Sequence, residues 1–387
     1  MRSLATIRIV TGKSVIDWAD NIELVHIDGW QVIVRKAENY QIGDKTIYVE
    51  IDSLLPETEW SEFLRPKKFK IKTMKLKGVL SQGICFPLSI LDRTMYKGKY
   101  EVGEDVTEIL GITQFDKIDD KEDIPKKKMN PLHKYLLRYR IYRKFFGKNS
   151  KQRRGWPEWI TKTDEIRIEN FPFYLQEKNI RYTVTTKLDG SSYTFGIKKD
   201  KTWYNTTKYE YYLCSRNVRK GIMTKELAKA RNDQWSIPVH KYDLKNALKC
   251  MLYRVNLHRH EFDAMYIQGE IIGPGIQKNH YQRNDFEVYV FNVVLVNTKT
   301  GEKYKCNYDE QEEFCETYNI PQVELREKYF VLPDTIPELQ KWVHRKSILN
   351  PKFLDEGCVF RNYEKDRSFK CVDPDFLLKY NNFDGNN

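Results

Sequence analysis

The run Lys187-Leu188-Asp189-Gly190-Ser191-Ser192 sets a primary amine close to a carboxylate and two hydroxyls. A lysine in such company suits a nucleophilic amine attacking a phosphate. Four later stretches carry single charged residues in or beside β-prone runs. They are Arg216 after Leu213-Cys214-Ser215, Glu270 ahead of Gly273-Pro274-Gly275, Glu356 ahead of Gly357-Cys358-Val359, and Lys370 after Ser368-Phe369. A free lysine, with a pKa of about 10.4, is almost wholly protonated at neutral pH, so the attack needs positive potential beside the amine. Taken one at a time, these residues have plainer readings: a surface lysine on an ordinary hairpin, a glutamate pairing near a turn, a solvated strand end.

The elements that must position them follow from pattern. Tyr182–Thr186, rich in Val, Thr and Tyr, predicts a strand running into Lys187, and Ser191–Ile197 predicts a second. Asp189-Gly190, tolerant of φ > 0, predicts the tight turn of a hairpin between them. Phe286–Val294 reads as a long strand with aromatics at alternate positions. Upstream, Ala5–Val10, Ile22–Ile27, Trp30–Val34, Lys45–Ile51 and Gly83–Pro87 are short strand candidates, separated by turns such as Asp28-Gly29. Five short strands fit a small barrel, and an OB-fold, a nucleic-acid-binding architecture, is the preferred version. Lys67–Gly78 alternates cations with other residues, so it predicts a strand with one charged face. That face is either a phosphate-tracking surface or an edge protected by lysines. Asp119–Lys128 reads as a charged linker, Leu132–Phe146 as a helix with apolar and cationic sides, and Lys151–Arg154 as a closing basic segment. The division expected is 1–115 for an OB-like module, 116–155 for a basic linker and helix, and 156–387 for a second domain of mixed α and β.

Composition sets the bounds. The chain has 387 residues with 66 Lys plus Arg against 54 Asp plus Glu, a net charge of +12 that favours a polyanionic partner. Its seven cysteines are odd in number and lack zinc-ligand spacing, which argues against a disulfide framework or a zinc site. The start runs directly into strand-like sequence and no apolar window reaches membrane length, so a soluble intracellular protein is expected, in cytoplasm or nucleus or made by a virus.

In order along the chain, the charged stretches resemble the motifs of the covalent nucleotidyltransferases, the superfamily of ligases and capping enzymes. Motif I falls at Lys187, Ia at Arg216, III at Glu270, IIIa around Phe291, IV at Glu356 and V at Lys370. The wording Gln268-Gly269-Glu270 followed by Gly273-Pro274-Gly275-Ile276-Gln277-Lys278-Asn279 is most similar to ATP-dependent RNA ligases, particularly the fifth family, whose OB module precedes the ligase domain. The resemblance implies an α+β fold: an N-terminal OB-like β-barrel, then an ATP-grasp-like nucleotidyltransferase domain of antiparallel sheets and helices. It implies ATP and Mg²⁺ or Mn²⁺ as cofactors, with Asp189, Glu270 and Glu356 as the metal-holding carboxylates. Lys187 would be the nucleophile and Lys370 a catalytic cation. Arg216 would hold ribose or phosphate oxygens, Phe291 rather than Tyr289 would stack on adenine with Val359 on its other face, and Arg167 would contact a phosphate or pair with a carboxylate. Some RNA ligases carry a second lysine two positions into motif V. Here that position is Val372, so Lys370 acts alone or Arg367 or Lys365 substitutes.

The expected activity is joining of 5′-phosphate and 3′-hydroxyl RNA ends by a monomer acting on a nicked duplex or RNA–DNA hybrid. A capping guanylyltransferase, a DNA ligase and a noncatalytic nucleic-acid-binding protein with a ligase-like core are the alternatives.

Overall fold

The computed structural model describes residues 3–115, 155–201, 206–259 and 262–380. The charged linker, the amphipathic helix and the basic run expected between 119 and 154 lie outside these residues.

The first 115 residues carry nine strands: β1 (Ala5–Val15), β2 (Ile22–Ile27), β3 (Trp30–Arg35), β4 (Lys45–Val49), β5 (Ser53–Leu54), β6 (Met74–Leu76), β7 (Val79–Ser81), β8 (Ile84–Phe86) and β9 (Thr113–Gln114). Five of them form an antiparallel sheet in the order β3-β2-β1-β4-β8. β1 is long enough to serve two partners. Its first half pairs with β4 and its second half with β2, across an irregularity between Val10 and Gly12 that bends the strand. The sheet curls back on itself where Gln82 N–H donates to Gln31 O at 2.7 Å and Ile33 N–H to Ser81 Oγ at 3.0 Å. Ile7, Val25, Trp30, Val32, Ile47 and Tyr48 fill the enclosed core.

The Lys67–Gly78 segment departs from expectation. A 3₁₀ helix runs through Lys67, Lys68 and Phe69 have positive φ, and only Met74–Leu76 is strand. Burying Phe69 and Ile71 in the barrel core decides the path of this segment, and its charge alternation does not.

The second part holds two antiparallel sheets. β10 (Tyr182–Lys187) starts the smaller one, and β11 (Ser191–Lys201), β12 (Thr207–Cys214) and β13 (Arg219–Lys220) start the larger. The helices α1 (Lys225–Ala230), α2 (Ser236–Lys241) and α3 (Leu244–Arg259) come next, then β14 (Ala264–Ile272), β15 (Glu287–Val296) and β16 (Lys303–Lys305). The chain closes with α4 (Tyr308–Thr317), β17 (Leu325–Phe330), α5 (Ile336–Val343), β18 (Gly357–Asn362), β19 (Arg367–Val372) and α6 (Pro374–Tyr380). The sheet orders are β17-β10-β18-β19 and β13-β12-β11-β14-β15-β16. Leu244, Ala247, Leu248 and Leu252 of α3 recur at helical spacing and bury against the larger sheet. Capping boxes at Asn307/Glu310 and Thr335/Glu338 fix the starts of α4 and α5.

The hairpin expected at Asp189-Gly190 does not form. β10 and β11 lie in different sheets, and neither Asp189 nor Gly190 has a positive φ. Leu188-Asp189-Gly190 is instead the crossing from one sheet to the other. Glycine is needed there for close approach, since a Cβ on Gly190 would lie 2.4 Å from Ile271 O and 2.8 Å from Glu270 Cγ.

The barrel and the two-sheet part share a core. Val372, Phe376 and Leu377 bury within the barrel's apolar cluster. Trp30 Nε1–H donates to Asn170 Oδ1 at 2.8 Å, Asn170 Nδ2–H donates to Glu50 Oε1 at 3.1 Å, and Gly29 N–H donates to Glu169 O at 2.9 Å. Among the described residues no helix is long and apolar enough to cross a membrane. The seven cysteines are free thiols, all but Cys250 buried.

Candidate active site

A cleft of about 470 Å³ opens between the two sheets and the barrel. Lys187, Asp189, Arg216, Glu270, Phe291, Glu356, Val359, Lys370 and Arg167 all line it. The barrel contributes Asp52, Lys72, Gln114 and Phe115 to the same wall.

Lys187 ends β10 opposite Gly357 of β18, so the ammonium emerges beside the residue that precedes that strand. Lys187 Nζ lies 2.6 Å from Glu356 Oε2. Burial opposes the charge on Lys187, but the carboxylates of Glu356, Glu270 and Asp189 outweigh it and hold the ammonium above the usual lysine range. Gly357 adopts φ 145°, and a Cβ there would lie 2.2 Å from Cys371 O, so the approach of Glu356 depends on a glycine after it.

Glu270 sits in β14 between Ser192 of β11 and Tyr289 of β15. Its Oε1 accepts the Gly190 N–H at 3.1 Å. Burial, reinforced by Glu356 and Asp189 and opposed by Lys187, pushes its carboxyl up to about 8. Asp189 is buried, its backbone N–H donates to Tyr281 Oη at 2.9 Å, and its Oδ2 lies 3.2 Å from His280 Nδ1. The three carboxylates therefore surround the amine without closing on one point. Among the described residues the metal-capable trio gathered within 4.8 Å is His344, Asp373 and Asp375, away from this cleft.

Phe291 sits at a β-bulge. β14 and β15 pair as Gln268 with Asn292 and Gly269 with Val290, which leaves Phe291 as the extra residue. Phe291 lines the cleft, whereas Tyr289, two residues earlier on the same face, hydrogen-bonds Glu287 Oε2 at 2.8 Å outside it. The Arg361 guanidinium lies 5.9 Å from the Phe291 ring centre.

Asp164, which sequence reasoning passed over, ties two expected site residues together. Its Oδ1 accepts from Lys370 Nζ at 3.2 Å, and its Oδ2 lies 3.4 Å from Arg216 Nη2. Arg167, three residues on, is buried, pairs with Asp52 of the barrel at 3.5 Å, and keeps Nε and Nη1 without a hydrogen-bond partner among the described residues. His280, Gln277 and Lys278 were also missed. Gln277, Lys278 and Asn279 carry φ of 44°, 57° and 50°, a left-handed turn that non-glycine residues rarely adopt and that only the Gly-Pro-Gly run before it hinted at. Neither substitute proposed for the second motif V lysine lines the cleft. Arg367 bonds Glu177 at 2.8 Å and covers the Tyr174 ring, and Val372 is packed into the shared core.

A barrel joined to a two-sheet domain, with a lysine at their common cleft, defines a covalent nucleotidyltransferase architecture, and comparison with known proteins narrows it. An RNA ligase family model matches residues 180–380, and the chain belongs to that family. An OB-fold domain model matches residues 4–88. The structure of the Naegleria gruberi RNA ligase with PPi is 25% identical and superposes with a TM-score of 0.72, covering 97% of this chain and 98% of that one. A lysine-to-methionine mutant of the same ligase with AMP and Mn, and a glutamate-to-alanine mutant with ATP and Mn, match with the same identity, TM-score and coverage. No curated protein matches the chain.

Proposed function

We propose that the protein is an ATP-dependent RNA ligase that joins 5′-phosphate and 3′-hydroxyl ends, and that it divides functionally into 1–115, 116–155 and 156–387. The observation that carries this reading is Lys187 at the end of β10, ringed by Glu356, Glu270 and Asp189, in a cleft that also presents Arg216, Phe291, Val359 and Lys370. The relatives with ATP, AMP and Mn support the same choice of nucleotide and metal.

Lys187 Nζ attacks the α-phosphorus of ATP; the N–P bond forms and the bond to the leaving pyrophosphate breaks. AMP then passes to the 5′-phosphate of one strand, and the 3′-hydroxyl of the other displaces it to give the phosphodiester. Lys370 and Arg216, now held by Asp164, would exchange that carboxylate for nucleotide oxygens. Arg167 has two buried N–H-bearing atoms to offer a phosphate at the barrel side. Phe291 and Val359 offer adenine an aromatic and an aliphatic face.

The oxygen donors present suit a hard divalent cation such as Mg²⁺ or Mn²⁺, and burial beside Glu356 and Asp189, which raises the Glu270 carboxyl to about 8, is a cost that a bound cation would offset. Asp189, Glu270 and Glu356 would hold the ion directly or through its waters, and when bound it supplies the potential that disfavours the Lys187 ammonium.

The substrate that fits this reading is a nicked duplex or RNA–DNA hybrid whose 3′-hydroxyl strand ends in RNA, since its 2′-hydroxyl can be sensed. The test is incubation with ATP or GTP labelled at the α-phosphate. Label held by denatured protein from ATP and not GTP, and lost in Lys187→Ala, is the expected result. Labelling by GTP instead would identify a capping guanylyltransferase, and no label from folded, adenylate-free protein would leave a binding protein only. Nicks differing only in an RNA or DNA 3′-hydroxyl strand then test the substrate.

A further inference from the structure

We propose that the RNA strand leaving the ligase cleft follows a basic face of the barrel and stacks an unpaired base on Trp18. This rests on the RNA ligase reading and names a surface for its substrate.

Trp18 lies in the loop between β1 and β2, is 94% exposed and has φ 60°. A bulky residue rarely adopts that backbone conformation, and an indole left almost wholly in water forgoes a large apolar burial. The loop beneath it is nevertheless well held. Ile16 and Ala19 bury with Leu24 against Ile22, Ile33 and Val79, and Lys36 Nζ donates to Ala19 O at 3.0 Å. The exposed ring therefore stands on a packed base, as a stacking platform requires.

The segment that packs beneath its loop is basic. From residue 63 to 91 the chain carries seven cations and no acid, and of these Arg65 is paired with Glu57 and Glu62 outside the run. Lys72 lines the cleft, and the chain then passes through Thr73 into the β6–β7 hairpin. Lys77-Gly78 forms its two-residue turn, with φ of 49° and 82°. Lys75 and Lys77 are exposed on this hairpin, and Lys67 folds back to within 3.7 Å of Met74 Sδ. Val79 of the same hairpin packs under the Trp18 loop, so one basic hairpin joins the cleft side of the barrel to the base on which the indole stands.

Asp17 and Asp20 flank Trp18 and are exposed. They oppose a phosphate at the loop itself, so Trp18 takes the neutral base while the hairpin lysines take the phosphates. Stacking faces combined with a basic track fit an unpaired stretch beyond the nicked duplex, since a base held in a duplex has no free face to offer.

The experiment uses the full chain and a labelled 5′-phosphorylated single-stranded RNA, with anisotropy for affinity and labelled ATP for adenylylation. Trp18→Ala is expected to weaken RNA binding at least about five-fold, and Trp18→Phe to restore most of it, with adenylylation unchanged in both. For Lys75→Ala with Lys77→Ala, the slope of log affinity against log salt should become shallower by about 0.7 for each lysine removed. Unchanged affinity in Trp18→Ala overturns the proposal, as does Trp18→Phe binding no better than Trp18→Ala. A change in self-association with RNA affinity intact also overturns it, and assigns Trp18 to a contact between copies. If the wild type fails to adenylylate, the ligase reading falls, while the affinities still judge the track.

Discussion

Lys187 Nζ stands 2.6 Å from Glu356 Oε2, at the point where β10 of one strand pair meets the loop before β18. The residue expected to act as a neutral amine is thereby stored as an ammonium, its charge favoured first by Glu356.

The first prediction concerns pH. Because the folded pKa of Lys187 is raised, the stabilisation from its ion pairs is complete below the unfolded value of about 10.4 and is lost only as pH climbs through the higher folded value. The neutral fraction therefore rises across the neutral range. The initial rate of adenylylation at fixed ATP and metal should increase between about pH 6 and 9, by close to ten-fold per unit where chemistry limits. A flat profile in a pre-steady-state measurement would show that the amine is already neutral in the reacting complex.

Glu270 should trade stability for function. The folded protein keeps its proton to about pH 8, whereas the unfolded chain releases it near an ordinary carboxylate value of about 4.3, so this group's contribution to stability falls as pH rises between those limits. Glu270→Gln is expected to raise Tm by a few degrees at pH 8 and by much less at pH 5. Its adenylylation should drop by about a hundred-fold or more. Melting curves at the two pH values, with and without Mn²⁺, check both parts; Mn²⁺ should stabilise the wild type more than the variant.

Phe291→Ala should raise the KM for ATP about five-fold or more, and Phe291→Tyr should change it little, since stacking needs an aromatic face at the bulge. Steady-state adenylylation with varied ATP reads this directly. An unchanged KM in the alanine variant would move the adenine elsewhere in the cleft.

Gly190→Ala tests the crossing between the sheets. The added methyl meets the Ile271 carbonyl and the Glu270 side chain, so a loss of about 1–3 kcal/mol in stability is expected together with weakened adenylylation. Urea unfolding measures the first effect. A variant as stable as the wild type would mean that the crossing can shift to make room.

The strands of the barrel and the motif-bearing runs of the second part were legible because each rests on local pattern. Ile22–Ile27 and Trp30–Val34 alternate or cluster apolar residues around Asp28-Gly29, and β2 and β3 form there. The residue types for phosphate chemistry were legible as well, since Lys187, Glu270, Glu356 and Lys370 stand in β-prone sequence with glycines near three of them.

What the sequence could not decide was pairing between distant segments. Lys187-Leu188-Asp189-Gly190 looks like a hairpin because neighbouring strands commonly pair. Here β10 finds its partners in β17 and β18, well over a hundred residues later, and β11 finds one of its own in β14. The resemblance points to Phe291 rather than Tyr289 as the stacking residue. That Phe291 lines the cleft and Tyr289 does not is decided only when β15 pairs with β14 and the smaller sheet closes the other wall. Asp164 gave no signal, because a carboxylate acquires meaning only when folding sets it between Arg216 and Lys370. Local composition determined which residues could do the chemistry. Long-range register, set by burying the larger sheet against its helices and the end of the smaller sheet in the barrel core, determined which of them meet.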